Sequence, residues 1–496
     1  MKKIIAIALL AVMAVSMLVS CNNTNTPSNT QDAVTQVIEG EGGDKLVIDE
    51  TKLDGYEYNI LVAGNIDYKH GSQHFGNDYY YDEEATDVLN QAKHDWIADA
   101  EQKFDITIVA IDKSKFGNCK GSGNGFNELN RANQSGDTPY DSCMIGAYDV
   151  CTAARNGYLA DLNNVDYINL SNSWWDQVAN KDLNIQGKMY YTTGDISIVD
   201  NVFTHCVFFN KDMIKALNME SPYELVDNNE WTLDKFIELV KKGSDTSGEG
   251  VSEESKVYGL LTWNDSMLQI MAAADERIAS VDENGDLQFT MYNDRTQTLY
   301  DKFTSLALDS SYSVNYQVLQ ASGWDELRKG IFDSNRAVFY LNLLSTTTHH
   351  RDSTTDFGIL PYPKLEATQE NYGHLVSSFH TYFFCVPKLH YSSAITGSVS
   401  EYMAYTGKTT TKVAYYDSTL KGKHIRDEES GDMLDIIFAS RVYDVGTYYK
   451  VGSITDKLGG LYKNTTTTFQ QIYNDNKELA ETIIKGINNG FLADEE

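Results

Sequence analysis

Apolar positions along this chain switch between two spacings. Tyr58–Ala63 begins by alternating and ends as an apolar run, which predicts a buried strand. Val88, Leu89, Ala92, Trp96, Ile97 and Ala100 then recur at helical spacing within Glu84–Lys103. Phe104–Ile111 reads as a second strand, Phe126–Ala132 as a short helix and Asp141–Ala147 as a third apolar strand. The loop before that short helix carries Gly117, Gly121, Gly123 and Gly125. It has neither the GxGxxG nor the GKT form, so it reads as a turn and not as a phosphate cradle. A β-α-β-α-β order implies a parallel sheet covered by helices, the α/β class. Farther on, Thr232 is placed to cap a helix whose Leu233, Phe236, Ile237 and Val240 share one face. Asp282-Glu283-Asn284-Gly285-Asp286 lacks the distal glutamate of a calcium loop and reads as a hairpin turn. The carboxy-terminal stretch reads as helical.

The amino terminus is of another kind. Met1-Lys2-Lys3 precedes a run from Ile4 to Val19 broken only by Ser16, the parts of a secretory signal. The run is too short and wrongly flanked for a spanning helix. Leu18-Val19-Ser20-Cys21 resembles the lipobox of bacterial lipoproteins. That resemblance implies a signal over residues 1–20, acylation of Cys21 and a protein tethered to the outer face of the membrane. Residues 21–51 are polar and Gly-rich, and are expected to be a disordered tether. The remaining body of about 440 residues is too large for one core and suits two lobes.

Charge and composition narrow the class. The 496-residue chain carries a formal charge of −31 without a basic patch, which argues against nucleic acid as a partner. Beyond Cys21 stand Cys119, Cys143, Cys151, Cys206 and Cys385, with no zinc-type spacing. Cys143 and Cys151 are the nearest pair in sequence, but five cannot all pair, and most read as buried small hydrophobes. The 32 tyrosines and 6 tryptophans lie largely beside Asn, Asp or Gly, as at sugar sites where rings stack on pyranose faces. Of the adjacent Trp174 and Trp175, one ring is expected in the core and the other half-exposed. No GxSxG or HExxH motif is present, and His349-His350-Arg351 lacks a third ligand at metal spacing. The chain therefore reads as a protein without catalytic residues, cofactor or metal.

Several stretches resemble, in order, the family 1 extracellular solute-binding proteins, the sugar-binding components of ABC importers. They are Tyr140-Asp141 with Met144-Ile145-Gly146; Ala153–Asn163, reading AARNGYLADLN; Gly187–Tyr191; Val207–Met213, reading VFFNKDM; Glu230–Phe236, reading EWTLDKF; Gly330–Phe339; and Asp356–Lys364. The likeness runs from about Tyr56 to Tyr449. It implies a two-lobed periplasmic-binding-protein-like fold, each lobe a mainly parallel sheet flanked by helices and joined by hinge strands near Ile196–Asn201 and Leu360–Pro363. Lobe 1 is then residues 52–198 plus 360–408, and lobe 2 is 199–359 plus 409–496. The implied function is capture of a carbohydrate, an oligosaccharide given the aromatic excess, between the lobes for delivery to the transmembrane subunits of an ABC permease. The implied contacts lie on cleft-edge loops: Tyr148 and Asp149, Asp195 and Asp200, Trp263, Asn264 and Asp265, Asn342 and Ser345, then Ser378, His380 and Tyr382. Three other readings stay open: a secreted glycan hydrolase, since a carboxylate pair is easily found among so many acids; a receptor for a peptide or polyamine; and a structural or adhesive lipoprotein.

Overall fold

The structure, a computed structural model, describes residues 35–39, 43–66, 77–82, 84, 86–245, 255–319, 330–425 and 427–492. The signal segment and Cys21 lie outside these residues. Among the described residues no helix is long and apolar enough to cross a membrane.

Part of the expected tether is ordered. Thr35–Glu39 (β1) pairs antiparallel with Lys45–Asp49 (β2), in a register that sets Val37 opposite Val47. Leu46 and Ile48 are fully buried, and β2 lies along the helix Ser393–Gly407. The stretch is polar on average, but alternation within β2 gives it one apolar edge to bury. Asn172 closes the contact, exchanging hydrogen bonds with the backbone of Lys45 at 3.0 Å each.

The first sheet is built on Tyr56–Ala63 (β3), which lies between Ile106–Asp112 (β4) and Ser142–Gly146 (β5), parallel to both. Leu61 sits opposite Ile111 on one side and Cys143 on the other. Helices Val88–Phe104 and Asn124–Ser135 make the crossovers. The first of them ends one residue later than the pattern suggests. Asp105 takes a left-handed conformation (φ 54°) and its amide donates to the Glu101 carbonyl, so Phe104 is buried as the last helical residue and the strand starts at Ile106.

The second sheet has five strands. These are His205–Asn210 (β6), Tyr258–Thr262 (β7), Ser313–Asn315 (β10), Ala337–Leu343 (β11) and Phe357–Leu360 (β12), ordered β10-β7-β11-β6-β12. Only β6 runs against its neighbours. Between β7 and β10, Ala279–Val281 (β8) and Leu287–Phe289 (β9) form the hairpin expected at Asn284-Gly285. Asp282 accepts from the amides of Asn284 and Asp286, and Gly285 holds φ 87°. Thr232 caps the helix Leu233–Lys242 as the sequence indicates.

Two chain segments join the sheets. Thr192 bridges Phe384 beside the first sheet, and β6 is reached after a single helical turn, Val199–Val202, in place of the expected hinge strand. The return segment leaves β12, makes the short strand His374–Leu375 (β13) and enters Tyr382–Cys385 (β14), which pairs antiparallel with β5. The two segments run side by side: Thr204 bridges Val376, and the Ser377 amide donates to the Phe203 carbonyl at 3.0 Å. The chain is thus a two-lobed α/β protein whose lobes each hold a mainly parallel sheet.

The carboxy-terminal stretch serves both lobes. Residues 411–424 pack on the helix Val88–Phe104, Glu428–Ala439 packs on β12, and Arg441–Val442 (β15) pairs with β13. The five cysteines Cys119, Cys143, Cys151, Cys206 and Cys385 are buried and unbridged. Cys143 lies beside Cys385 in the β5–β14 register, not beside Cys151.

Candidate functional site

The joining segments bring residues far apart in sequence to one place. His205 opens β6, and its ring lies 5.3 Å from that of Trp263 just past the end of β7. Tyr362, on the return segment after β12, has its ring 6.3 Å from His205. His380, in the turn before β14, stands 6.2 Å from Trp263 and 5.3 Å from Phe203. Strand ends of the second sheet and the two joining segments therefore meet in one aromatic cluster.

Its hydrogen bonding is unusual. His205 is fully buried, yet neither ring nitrogen has a partner. Trp263 Nε1 and the Tyr362 hydroxyl are likewise buried without one. Each unmade bond of this kind costs about 1–3 kcal/mol. Burial also drives the His205 pKa well below its ordinary value, with His380 and His374 adding to the effect, so the imidazole is neutral.

Asp265 extends the cluster toward the surface. It precedes the helix Ser266–Ala273 but makes no side-chain cap. Desolvation and the Asp456 carboxylate raise its pKa to about 6. Across from it, the hydroxyl of Tyr148 shares a 2.8 Å hydrogen bond with Ser378 Oγ. Lys450 Nζ lies over the Tyr148 ring at 5.2 Å and pairs with Asp456 at 3.2 Å. Asn264 is held by its amide, which donates to Gln317 Oε1 at 2.8 Å, and its Oδ1 accepts from Asn315.

Other residues singled out in the sequence have different work. Tyr148 and Asp149 lie in the first turn of the helix Ala147–Arg155, not in a loop. Asp149 is fully buried and accepts from the amides of Gly121 and Gly123 at 2.8 and 3.0 Å, so the glycine loop folds around the chain's own carboxylate. Asn342 lies within β11, where its amide donates to the hydroxyls of Tyr316 and Tyr340 and its Oδ1 accepts from Thr346 and the Leu343 amide. Ser345 sits in the short helix Leu344–His350 that follows, and its carbonyl accepts from Thr348. The Tyr382 hydroxyl donates to Asp78 at 2.7 Å, and Asp78 also takes Ser197 Oγ at 2.6 Å, tying the first joining segment to β14.

Asp195 and Asp200 belong to an ionic knot at the same hinge. Arg441 of β15 reaches Asp200 at 2.7 Å and Asn201 at 2.5 Å with one nitrogen and Asp176 with the other. The Tyr443 hydroxyl donates to Asp176 at 3.0 Å. Lys412 pairs with Asp195 at 2.6 Å. One oxygen each of Asp195 and Asp200 is buried without a partner. Burial outweighs the Arg441 charge and lifts the Asp200 pKa to about 6.

Trp174 and Trp175 are both buried, correcting the expectation of one half-exposed ring. Their indoles donate to the two oxygens of Glu401, at 3.0 and 2.7 Å, and Asn172 adds a third bond at 2.7 Å. Sequence reasoning missed His205, and it missed Tyr362, which falls in the expected crossover Leu360–Pro363. It also missed Arg441, Lys450 and Asp456, which come from a stretch with no motif. Among the described residues no group of His, Cys, Asp and Glu has the arrangement of a metal site.

No family model and no curated relative matches the chain. Solved structures do, over nearly their whole length. The galacto-N-biose/lacto-N-biose I-binding protein of a Bifidobacterium longum ABC transporter, in complex with lacto-N-biose, is 14% identical; the match covers 88% of this chain and 98% of that one, with a TM-score of 0.57. A cyclo/maltodextrin-binding protein complexed with maltotetraose is 15% identical over 88% and 99%, with a TM-score of 0.56. An ABC substrate-binding protein of Listeria monocytogenes in complex with cycloalternan is 14% identical over 87% and 99%, also at 0.56. At these identities the likeness is one of fold: the chain has the two-lobed periplasmic-binding-protein-like architecture in which the solute-binding proteins of ABC importers are built.

Proposed function

We propose that the chain is a lipid-anchored receptor outside the cytoplasmic membrane, held by Cys21, that binds a carbohydrate between its lobes and delivers it to an ABC permease. One observation carries the reading. At the junction of the lobes, His205, Trp263 and Tyr362 keep buried hydrogen-bonding atoms that the protein leaves unmatched. A ligand with many hydroxyls supplies both donors and acceptors to such atoms, while the half-buried ring of His380 beside Trp263 offers a face to its C–H surface. The ligands of the similar structures, lacto-N-biose, maltotetraose and cycloalternan, support the same class. Asp265 follows Trp263 by two residues, and Ser378, bonded to Tyr148, precedes His380 by two.

The test is a thermal-shift screen of the protein against mono- and oligosaccharides, peptides and polyamines, with the glycans analysed afterwards. A ligand at a hundred times its dissociation constant adds about 2.7 kcal/mol of stability. A glycan that stabilises the protein and is recovered intact supports the receptor. A polyamine or peptide hit replaces the ligand class, recovered reducing ends point to a hydrolase, and a panel without any hit removes the receptor reading.

A further inference from the structure

A cavity of about 570 Å³ lies away from the aromatic cluster, between the helix Ile454–Gly459, the turn after it and the first turns of Phe469–Leu492. Its volume falls in the range of small-molecule sites. Asp456, Asp475, Asn464 and Gln471 line it with carboxylates and amides, and Leu461 and Ile472 add two apolar faces. Lys457 lines it too, so the cavity offers charged and amide groups to hydroxyls and two aliphatic side chains to C–H surface.

The cavity shares a wall with the interlobe site. The backbone turns sharply at Lys450, Gly452 and Ser453, all with positive φ (51°, 60° and 56°), and this sets Ile454–Gly459 against the helix Ser266–Ala273. A side chain at Gly459 would stand 3.9 Å from the Cβ and carbonyl oxygen of Asn264. Asp456 lines the cavity, and its partner Lys450 reaches over Tyr148 on the first lobe. The helix Ile454–Gly459 therefore has Asn264 on one side and the cavity on the other, and its Asp456 lines the cavity while lying close enough to Asp265 to raise that carboxylate's pKa.

We infer that this cavity is a distal subsite for the further units of an oligosaccharide whose first units occupy the Trp263 cluster. The inference rests on the carbohydrate reading above and adds a length preference to it. Part of the distal wall is the helix Phe469–Leu492, which no sequence motif marks as a binding element.

Calorimetric titration of the protein with α-1,4-glucans, β-1,4-glucans and β-1,4-mannans, each from disaccharide to hexasaccharide, tests it. In the series that binds, affinity is expected to rise at least about tenfold with chain length, or roughly 1.4 kcal/mol. Asn464→Ala and Gln471→Ala, both at exposed positions, are expected to remove that gain and leave the disaccharide unchanged. An affinity independent of length, or variants indistinguishable from the parent, overturns the distal subsite and leaves the receptor standing. No binding in any of the three series overturns the subsite as well, while the carbohydrate reading stands or falls with the thermal-shift screen.

Discussion

His205 shows most clearly how a single residue separates stability from binding. A buried imidazole with no partners is a cost to the folded state, and it persists where another role needs it. His205→Leu removes two unmatched nitrogens at similar volume. Its melting temperature is expected to equal or exceed the parent's, while glycan affinity falls by tenfold or more, about 1.4 kcal/mol. A variant that melts lower and binds normally would make His205 a structural residue. Asp265 carries the pH dependence. Its pKa, raised to about 6, means that the carboxylate, proposed to accept ligand hydroxyls, is present above that pH and lost below it. Affinity is expected to rise from pH 5 to pH 7 and to be flat in Asp265→Asn; an identical profile in the variant would place the titrating group elsewhere. Glu401 is the contrasting case. Burial raises its pKa to about 7, and its oxygens gather Trp174, Trp175 and Asn172. Glu401→Gln turns an amide donor toward donors, which predicts a loss of about 2 kcal/mol in denaturant unfolding and no change in ligand affinity. Unaltered unfolding would mean that the carboxylate does not hold the indoles.

At the scale of elements, the helix Ser393–Gly407 depends on glycine for its fit. A Cβ at Gly397 would meet the Asp166 carbonyl oxygen at 1.6 Å, and one at Gly407 would meet that of Asp195 at 1.9 Å. Both are rigid backbone atoms, so Gly397→Ala is expected to destabilise by about 1–3 kcal/mol through displacement of the helix. A melting temperature equal to the parent's would contradict that fit. The strands and crossover helices of the first sheet were legible in the sequence because period-2 and period-3.6 patterns report burial directly. Their ends were less so. Asp105 ends a helix by adopting a left-handed conformation, and Ala147 begins one where the apolar run suggested strand. The meeting of Trp263 and His380, aromatics at expected strand ends and turns, was legible as a candidate cluster. The site was not legible at Asp149, Asn342 or Tyr382, because a polar residue near a cleft looks the same whether its partner is a ligand or the chain itself. Only the hydrogen-bond partners separate the cases.

For the whole molecule, the carboxy-terminal helix Phe469–Leu492 is a brace. Its first turns stack Phe469 and Tyr473 against Tyr292, Tyr300 and Phe289 of the second lobe's region. Its last turns set Phe491 against Tyr190, 4.8 Å away, next to the segment that bridges the first sheet. The helix spans both sides of the junction, so the closure the proposed function calls for would proceed with this contact in place or by breaking it. Such placement was invisible in the sequence, where helical periodicity shows an apolar face but not what covers it.

A carbohydrate held at the Trp263 cluster is central to the proposed function. Isothermal titration of the parent protein and of Trp263→Ala, with the glycan that stabilises the parent most, tests that directly. The parent is expected to bind one glycan per chain, intact, and the variant to lose affinity about a hundredfold or more, roughly 2.7 kcal/mol. Equal affinity in parent and variant would contradict this and move the ligand, and the function, to another part of the molecule.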